Sequence, residues 1–317
     1  MISGAIPVTR LRMSGMPRAN RVTNSLAAGI AALAREEGPN STRFAGATVF
    51  RITAPEAPTP TFYPAALLLV GAGEKQGTLR NEIFAYNAEH YLVVTSPLPM
   101  LCRTIASSRQ PLLSLGVEIE LSMLRELLLE LSEPLSPAEA RSFRPVFRAP
   151  LPPDLEDAGA RLLACLTDER RTRALARQTI REMLYLVLEG PYGDSLRALA
   201  QGSVGQLAHV LRHMSTRYAE RLSVGNLAAM AHMSIPTFHQ HFKAMTATSP
   251  LQYMKSLRLT HARQMLQAGG RVKAVAYDVG YESESQFSRE YRRFFGVPPS
   301  GEGRPAITTV SPHFANA

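Results

Sequence analysis

The chain has 317 residues, 45% of them hydrophobic, which is enough to fill the cores of two domains. Its formal net charge of +9 favours a polyanionic partner, although an acidic protein or a membrane surface would attract the same charge. Only Cys102 and Cys165 occur, and no apolar run reaches the roughly 18 to 20 residues of a membrane span. The composition therefore argues against a disulfide-rich secreted domain and an integral membrane protein, and predicts a cytoplasmic chain.

The N-terminal segment contains one predicted helix. Residues 1–20 have no periodicity and are predicted to be disordered. The stretch SLAAGIAALAREEG (25–38) resembles a signal peptide, but Leu26, Ile30 and Leu33 recur at helical spacing and two glutamates follow. We therefore favour an amphipathic helix over a cleaved signal.

Short apolar runs between about 41 and 120 predict strands. They are ATVFRI, AALLLVG, EIFAYN and HYLVVTS, and the stretches TPTFYP and GAGEKQG between them read as turns. Closely spaced strands without an intervening helical pattern are typical of an antiparallel barrel or sandwich.

Helices are predicted after about residue 117. VEIELSMLRELLLELS carries leucines on one helix face, which form either core or a dimer contact. LSPAEARSFRPVFRAPLPPD reads as a proline-rich connection, and two further amphipathic helices follow it up to residue 190. We place a domain boundary at 195–205, so that 21–195 forms one domain, 205–300 a second, and 301–317 a tail.

The stretch LSVGNLAAMAHMSIPTFHQHFKAM (222–245) has the design of a helix-turn-helix unit. Ser223 and Ser234 can each cap a helix, and Pro236 is tolerated in the first turn of the second helix. The inner face of the second helix is predicted to be Ile235, Phe238, Phe242 and Met245. Its outer face would carry Pro236, Thr237, His239, Gln240 and Lys243, placed to reach DNA in a major groove.

A second unit repeats this design. Its capping serine, Ser283, lies 49 residues after Ser234, the corresponding serine of the first unit. Gly280 supplies the positive φ of the turn, and Phe287 and Tyr291 face inward like Phe238 and Phe242. Phe294 and Phe295 are also predicted to be core. The outer face of its second helix would carry Glu284, Ser285, Gln286, Ser288 and Arg289.

One amphipathic helix (249–270) joins the two units. About 19 helical residues span about 28 Å, close to the roughly 34 Å between major-groove segments on one face of DNA. Residues 209–300 contain twelve Lys and Arg against five Asp and Glu, which suits a phosphate backbone. Double-stranded DNA is therefore the predicted partner.

The outer residues have alternative roles. Gln240 can bond adenine and Arg289 can bond guanine or phosphate, while Glu284 either accepts from a cytosine amino group or stabilises the helix N-terminus. Each of these residues could instead be ordinary solvated surface.

The motifs LAAMAHMS, FHQHFKAMTATSPLQYMKSLRLTHARQML, VAYDVGY and ESQFSREYRRFFGVPP resemble the DNA-binding domain of the AraC/XylS family of bacterial transcription regulators. The resemblance covers about residues 205–300. It departs in the tail. The family often continues SP into a residue pair that ends in Arg, whereas here the arginine, Arg304, comes later, at the end of PPSGEGR. It implies a homodimeric regulator, more often an activator, with RNA polymerase as a candidate partner.

The segment YPAALLLVGAGEKQGTLRNEIFAYNAEHYLVVTSPLPMLCRTIASSRQPLLSL resembles the cupin-type sensor domain of one branch of that family. Metal-binding cupins have a closely spaced histidine pair with a glutamate, whereas His90 stands alone here, so the resemblance implies a barrel without metal or other cofactor. The candidate residues for a small-molecule effector are Tyr63, Tyr86, His90, Tyr91 and Cys102. For each of them ordinary barrel packing or surface is the favoured interpretation. Cys102 could be an electrophile or redox sensor, but an isolated cysteine in an apolar run is more often a small hydrophobe.

Together these features predict an α+β chain: a cupin-like antiparallel β-barrel followed by helices, then an all-α domain of two helix-turn-helix units joined by a long helix. We predict a non-enzymatic, sequence-specific DNA-binding regulator that senses an unknown small molecule. Two alternatives are a ligand-independent DNA-binding protein and a cupin-like enzyme with an appended DNA-binding module.

Overall fold

The computed structural model describes residues 25–131, 143–200 and 202–302. The predicted disordered segment 1–20 and the tail beyond Glu302 lie outside these ranges. The predicted α+β organisation is confirmed, with an antiparallel β-domain and helices followed by an all-helical C-terminal part.

Ten strands of the described part of the chain form the β-domain. They are β1 (Gly38–Ser41), β2 (Ala47–Ile52), β3 (Glu56–Tyr63), β4 (Ala66–Ala72), β5 (Glu74–Leu79), β6 (Glu82–Asn87), β7 (His90–Val94), β8 (Leu98–Ile105), β9 (Leu112–Glu118) and β10 (Val146–Pro150). They make a six-stranded sheet in the order β1-β2-β9-β4-β7-β10 and a four-stranded sheet in the order β3-β8-β5-β6. All neighbouring strands are antiparallel.

The central strand β4 of the six-stranded sheet is buried on both faces. Leu67 and Leu69 of β4 belong to one core with the neighbouring helices, whereas Leu68 and Val70 belong to another with side chains of the four-stranded sheet. Successive side chains of a strand point to opposite faces, so a strand covered on both sides must be apolar throughout. This explains the unbroken run LLLV, which the sequence correctly assigns to a strand.

The sequence interpretation is wrong for three segments. They were predicted to be turns or a connection, but they form strands. TPTFYP lies mostly in β3, and PVFRAP contains β10; both strands are the outermost of their sheets. Proline is tolerated on an edge strand because its missing N–H faces away from the ladder. GAGEKQG contributes β5, in which Gly77 leaves room for the methyl group of Met100 on β8.

Within the described ranges, eleven α-helices surround and follow the sheets. They are α1 (Ser25–Leu33), α2 (Leu121–Glu130), α3 (Pro153–Cys165), α4 (Glu169–Leu188), α5 (Gly193–Leu199), α6 (Gly202–Thr216), α7 (Val224–Met230), α8 (Ile235–Thr246), α9 (Pro250–Gln267), α10 (Val272–Asp278) and α11 (Glu284–Phe295). The first of them is the helix predicted within 25–38, and its Leu26 and Ile30 are fully buried in the core beneath the six-stranded sheet. The leucine helix α2 buries Leu121, Leu124, Leu127 and Leu128, so most of its apolar face is core.

The C-terminal helices divide between two cores. Phe238 and Phe242 of α8 and Tyr253 of α9 belong to the same continuous core as residues of helices α1 to α6. Phe287 and Tyr291 of α11 belong to a separate, smaller core with Val275, Ala276 and the second half of α9. The first helix-turn-helix unit is therefore packed onto the rest of the protein, and the second has a core of its own.

Candidate nucleic-acid interface

The first unit consists of α7 and α8 with the caps that the sequence predicts. The Ser223 hydroxyl accepts a hydrogen bond from the Asn226 amide at 3.1 Å, and the Ser234 hydroxyl accepts one from the Thr237 amide at 3.3 Å. Such caps satisfy amides that have no partner in the first turn of a helix. His232 makes the turn between the helices with φ of 53°, a left-handed conformation.

Helix α8 has one buried and one exposed face. Phe238, Phe242 and Met245 are buried, as predicted. Ile235 was expected beside them but is 50% exposed, because it is the first residue of the helix and the apolar face begins one turn later. All five residues predicted for DNA contact on this helix are exposed; they are Pro236, Thr237, His239, Gln240 and Lys243.

The second unit consists of α10 and α11. Gly280 makes its turn with φ of 85°, and a Cβ there would lie 2.3 Å from the Ala219 carbonyl oxygen, so glycine is required both for conformation and for space. The Ser283 hydroxyl accepts from the Gln286 amide at 3.4 Å, and Phe287 and Tyr291 are fully buried. Phe294 and Phe295, predicted as core, are only half-buried at its edge, because they end the helix.

Four of the five predicted contact residues of α11 are exposed: Glu284, Ser285, Gln286 and Arg289. Ser288 is half-buried. The Gln286 side chain donates to Glu290 at 3.3 Å, and the same carboxylate accepts from Lys255 at 3.0 Å and from the Tyr281 hydroxyl at 2.9 Å. Burial alone would raise the pKa of Glu290, but these hydrogen bonds outweigh it and lower the pKa below its usual value.

Helices α8 and α11 are structurally equivalent. Each has 12 residues, begins at a capping serine, and ends at a residue with left-handed backbone, Ala247 with φ of 64° and Gly296 with φ of 80°. Ala247 and Gly296 are 49 residues apart, as are the capping serines Ser234 and Ser283. The repeat seen in the sequence is thus a repeat of backbone conformation.

Sequence reasoning missed the residue that joins the linker helix to the connection between α6 and α7 and to the turn of the second unit. From α9, Arg258 donates to the carbonyl oxygens of Tyr218 at 2.7 Å, Glu220 at 2.9 Å and Gly280 at 3.0 Å. A guanidinium group can serve three acceptors at once because its donors lie in one plane. In the sequence Arg258 is one charged residue among several on an amphipathic helix, so no signal marks it.

The five residues predicted for a ligand pocket do not converge. The Tyr63 and Tyr86 hydroxyls lie 3.0 Å apart between the two sheets, near buried Cys102, whose pKa burial raises, so that its thiol stays protonated. Tyr91 packs in the other core, and His90 lies half-buried at the end of β7. The cavity beside Tyr63 and Tyr86 has about 30 Å³, room for a water molecule. That these residues bind an effector stays a prediction.

A much larger cavity, of about 640 Å³, lies between the β-domain and the C-terminal helices. Its walls come from the strand ends at Phe62 and Ser96, from α2 and α4, and from α6 and α9. Sequence reasoning did not find it, because these residues are far apart along the chain.

Within residues 25–131, 143–200 and 202–302, no group of three or more His, Cys, Asp and Glu side chains could hold a metal ion. In the same ranges no helix is both long and apolar enough to cross a membrane.

Comparisons with known proteins agree with this architecture. Residues 43–195 match the model of the AraC-type transcriptional regulator N-terminus, and residues 227–302 match that of a helix-turn-helix domain. The chain belongs to the AraC/XylS family. The resemblance to this family is therefore confirmed, and the N-terminal part matches an AraC-type regulator N-terminus, while its cupin-like character stays a prediction.

Relatives within the AraC/XylS family include two activators. The chain is 36% identical over 108 residues to the RCS-specific HTH-type transcriptional activator RclR of Escherichia coli K12, covering 34% of the chain and 38% of RclR. It is 31% identical over 143 residues to the HTH-type transcriptional activator RhaS of Citrobacter koseri, covering 44% of the chain and 51% of RhaS. The matched segment thus spans about half or less of these relatives.

A solved structure has a similar fold. ToxT from Vibrio cholerae, in a crystal structure with bound unsaturated fatty acid, superposes with a TM-score of 0.58 over 80% of this chain and 92% of ToxT. The two sequences are 11% identical, so the likeness shows a common fold.

Proposed function

We propose that this protein is a sequence-specific DNA-binding transcription regulator that responds to a small molecule. The observation that carries the proposal is the pair of equivalent helices α8 and α11, each of which is capped by serine, buried on its aromatic face and exposed on its polar face. A helix of this kind enters the major groove with the residues of its first turns towards the base edges.

The linker helix sets the separation of the two reading helices. Helix α9 has 18 residues and is therefore about 27 Å long. Two reading helices held at its two ends would meet successive major-groove segments on one face of DNA, which lie about 34 Å apart. We propose that α8 and α11 read these two segments together.

The exposed residues of α8 and α11 differ in the DNA groups that their side chains can bind. Gln240 and Arg289 have side chains that bond adenine and guanine edges, and Lys243 and His239 suit phosphate oxygens. Gln286 is already bound to Glu290, so it would have to leave that hydrogen bond to reach a base. Pro236, Thr237, Glu284, Ser285 and Ser288 complete the proposed surface.

Several features of the regulator are proposed from family membership. The protein would act in the cytoplasm as a homodimer without catalytic activity, with RNA polymerase as a partner and a cupin-like sensor domain that holds no metal. Activation is the favoured direction because RclR and RhaS are activators. Both cysteines are free and buried, as suits a reducing compartment.

The function is tested by binding of the full chain to its own upstream DNA and to scrambled DNA over a range of salt concentrations. We expect discrimination between the two and a steep loss of affinity with salt, because phosphate contacts release counterions. We expect Arg289→Ala to weaken specific binding, by roughly 1–3 kcal/mol if the contact is to a base. Fluorescence anisotropy measures both effects.

The matched control is Arg173→Ala, which removes the same charge from the exposed surface of α4. It should leave specific binding unchanged. Equal loss in both variants would mean that net charge alone matters, and unchanged binding by Arg289→Ala would remove Arg289 from the interface. A flat salt dependence would contradict DNA binding through this surface.

A further inference from the structure

Glu290 places a carboxylate beside the proposed reading surface of α11. It directly follows Arg289 and lies one helical turn from Gln286, two of the residues proposed for DNA contact. Its side chain is 22% exposed and accepts hydrogen bonds from Gln286 at 3.3 Å, from Lys255 of α9 at 3.0 Å and from the Tyr281 hydroxyl at 2.9 Å. Burial would raise its pKa, but these hydrogen bonds lower the pKa below its usual value, so the group is ionised at neutral pH.

The first unit has no such carboxylate. The 49-residue offset places His241 where the second unit has Glu290, and Thr237 where it has Gln286. Helix α8 contains neither Asp nor Glu, and the Thr237 hydroxyl bonds to the hydroxyl of the capping Ser234 at 2.8 Å. The two helices have the same length and the same kind of cap, so the difference between them is one of side chains and not of backbone. Glu290 therefore distinguishes the second reading helix from the first.

A negative charge at this place opposes DNA binding. Phosphates repel a carboxylate, whereas Lys and Arg side chains strengthen binding because they replace condensed counterions. Glu290 also neutralises Lys255, whose ammonium group would otherwise be available to a phosphate. The ion pair itself stabilises the fold little, because both side chains are partly exposed. Its larger effect is therefore on the charges that the protein offers to DNA.

The groups bound to Glu290 border a groove between the two units. The groove has a volume of about 430 Å³ and is lined by Lys255, Gln286 and Glu290 together with Leu227 of α7. If α8 and α11 read successive major-groove segments, the DNA backbone between those segments faces the protein between the two units. Lys255 is 36% exposed, so its ammonium group can turn into the groove once Glu290 no longer holds it.

We propose that Glu290 lowers the DNA affinity of the second unit by competing with DNA for Gln286 and Lys255. Each of these side chains can bond either the carboxylate or the nucleic acid, the amide an adenine edge and the ammonium group a phosphate oxygen. A bond that is made in the free protein and broken on binding subtracts from the affinity. Glu290 thus sets both the strength and the base preference of the second unit. The inference rests on the proposed function, because it concerns how α11 meets DNA.

The test compares Glu290→Gln with the parent protein, both as full chains, on DNA that the parent binds specifically. Glutamine has the same size, and its amide can accept one hydrogen bond and donate another to the Tyr281 hydroxyl, so the charge is removed while the packing is kept. We expect the affinity to rise about fivefold, the net gain of one hydrogen bond. The slope of log affinity against log salt should become steeper by about 0.9, one further phosphate contact. Fluorescence anisotropy at several salt concentrations measures both effects.

Two controls separate competition from net charge. Glu169→Gln removes the same charge from α4 and releases Arg173, to which Glu169 is bound, and it should leave DNA affinity unchanged. In a protein that already carries Lys255→Met and Gln286→Ala, Glu290→Gln should raise the affinity by less than about twofold, because the competing carboxylate has lost both groups that it holds. Selection from a randomised DNA library should also show a stronger adenine preference at one position for Glu290→Gln than for the parent. That preference should disappear when Gln286→Ala is added.

The proposal is overturned if Glu290→Gln leaves the affinity unchanged or weakens it, since a loss would show that the carboxylate only supports the second unit. It is equally overturned if the gain persists without Lys255 and Gln286, or appears with Glu169→Gln. A parent protein that does not distinguish its own upstream DNA from scrambled DNA contradicts the proposed regulator instead. Glu290→Gln is then compared with the parent on the scrambled DNA, where Lys255 should still gain its phosphate contact, so the two failures are told apart.

Discussion

Ala247 and Gly296 occupy the same position at the ends of α8 and α11. Both have positive φ, where an L-residue with a Cβ is less stable than glycine by roughly 1–2 kcal/mol. Glycine is the usual residue at this position because it closes the helix without that cost. The first unit therefore carries a local destabilisation that the second lacks.

We predict that Ala247→Gly raises the free energy of unfolding by about 1 kcal/mol and that Gly296→Ala lowers it by a similar amount. A Cβ at Gly296 would meet no atom within 4 Å, so the change there reports backbone conformation alone. Urea denaturation of both variants measures the effect. Changes of the same sign in the two variants would contradict this explanation.

At the scale of elements, the hairpin of β5 and β6 contacts the C-terminal end of helix α8, the first of the two proposed DNA-reading helices. Arg80, in the hairpin turn, donates to the carbonyl oxygens of Lys243 at 2.9 Å and Ala244 at 2.7 Å. These are among the last carbonyls of α8, where a cation is also favoured by the helix dipole. Arg80 has φ of 56°, an unusual conformation for this residue.

We predict that Arg80→Asn increases the rate of amide hydrogen exchange in the last turn of α8. Asparagine tolerates the left-handed conformation, so the substitution removes the guanidinium without adding backbone strain. The last turn of α11 is an internal control, since Arg80 does not bond to it. Equal rates in the parent and the variant would show that the hairpin does not stabilise this helix end.

At the scale of the whole molecule, the two helix-turn-helix units are attached differently. The first shares the large core, and Tyr253 additionally donates to the Pro97 carbonyl at 2.9 Å and packs edge-on against Phe62. The second has a separate core of nine buried residues. The first unit is therefore packed into the large core, whereas the second is joined to the rest of the protein through α9 and through the approach of α11 to β3.

We predict that the second unit opens at lower free energy than the first. Native-state hydrogen exchange in increasing urea should show α11 amides exchanging through an opening that leaves α8 protected, because a small core gives less local stability. Simultaneous exchange of both helices would mean that the C-terminal part and the sensor part unfold as one unit.

The sequence by itself determined the elements whose signals are local. The serine caps at 223, 234 and 283 act over three residues, and the inward aromatic positions follow the helical period, so both reading helices could be placed correctly. Gly280 was likewise identified from the conformation that its turn requires. The unbroken apolar run of β4 was also recognisable, because burial on both faces favours apolar side chains at successive positions.

Only the tertiary structure decided the features that depend on distant residues. Proline-containing β3 and β10 are strands because of their edge positions, which no local pattern encodes. Arg80 and Arg258 satisfy carbonyl groups far along the chain, and the cavity lined by Ser96 and Arg212 exists only where the β-domain meets the C-terminal helices. Periodicity and capping act within one element, whereas packing between elements depends on where each one lies, and that is why the sequence indicates the reading helices but not the cavity.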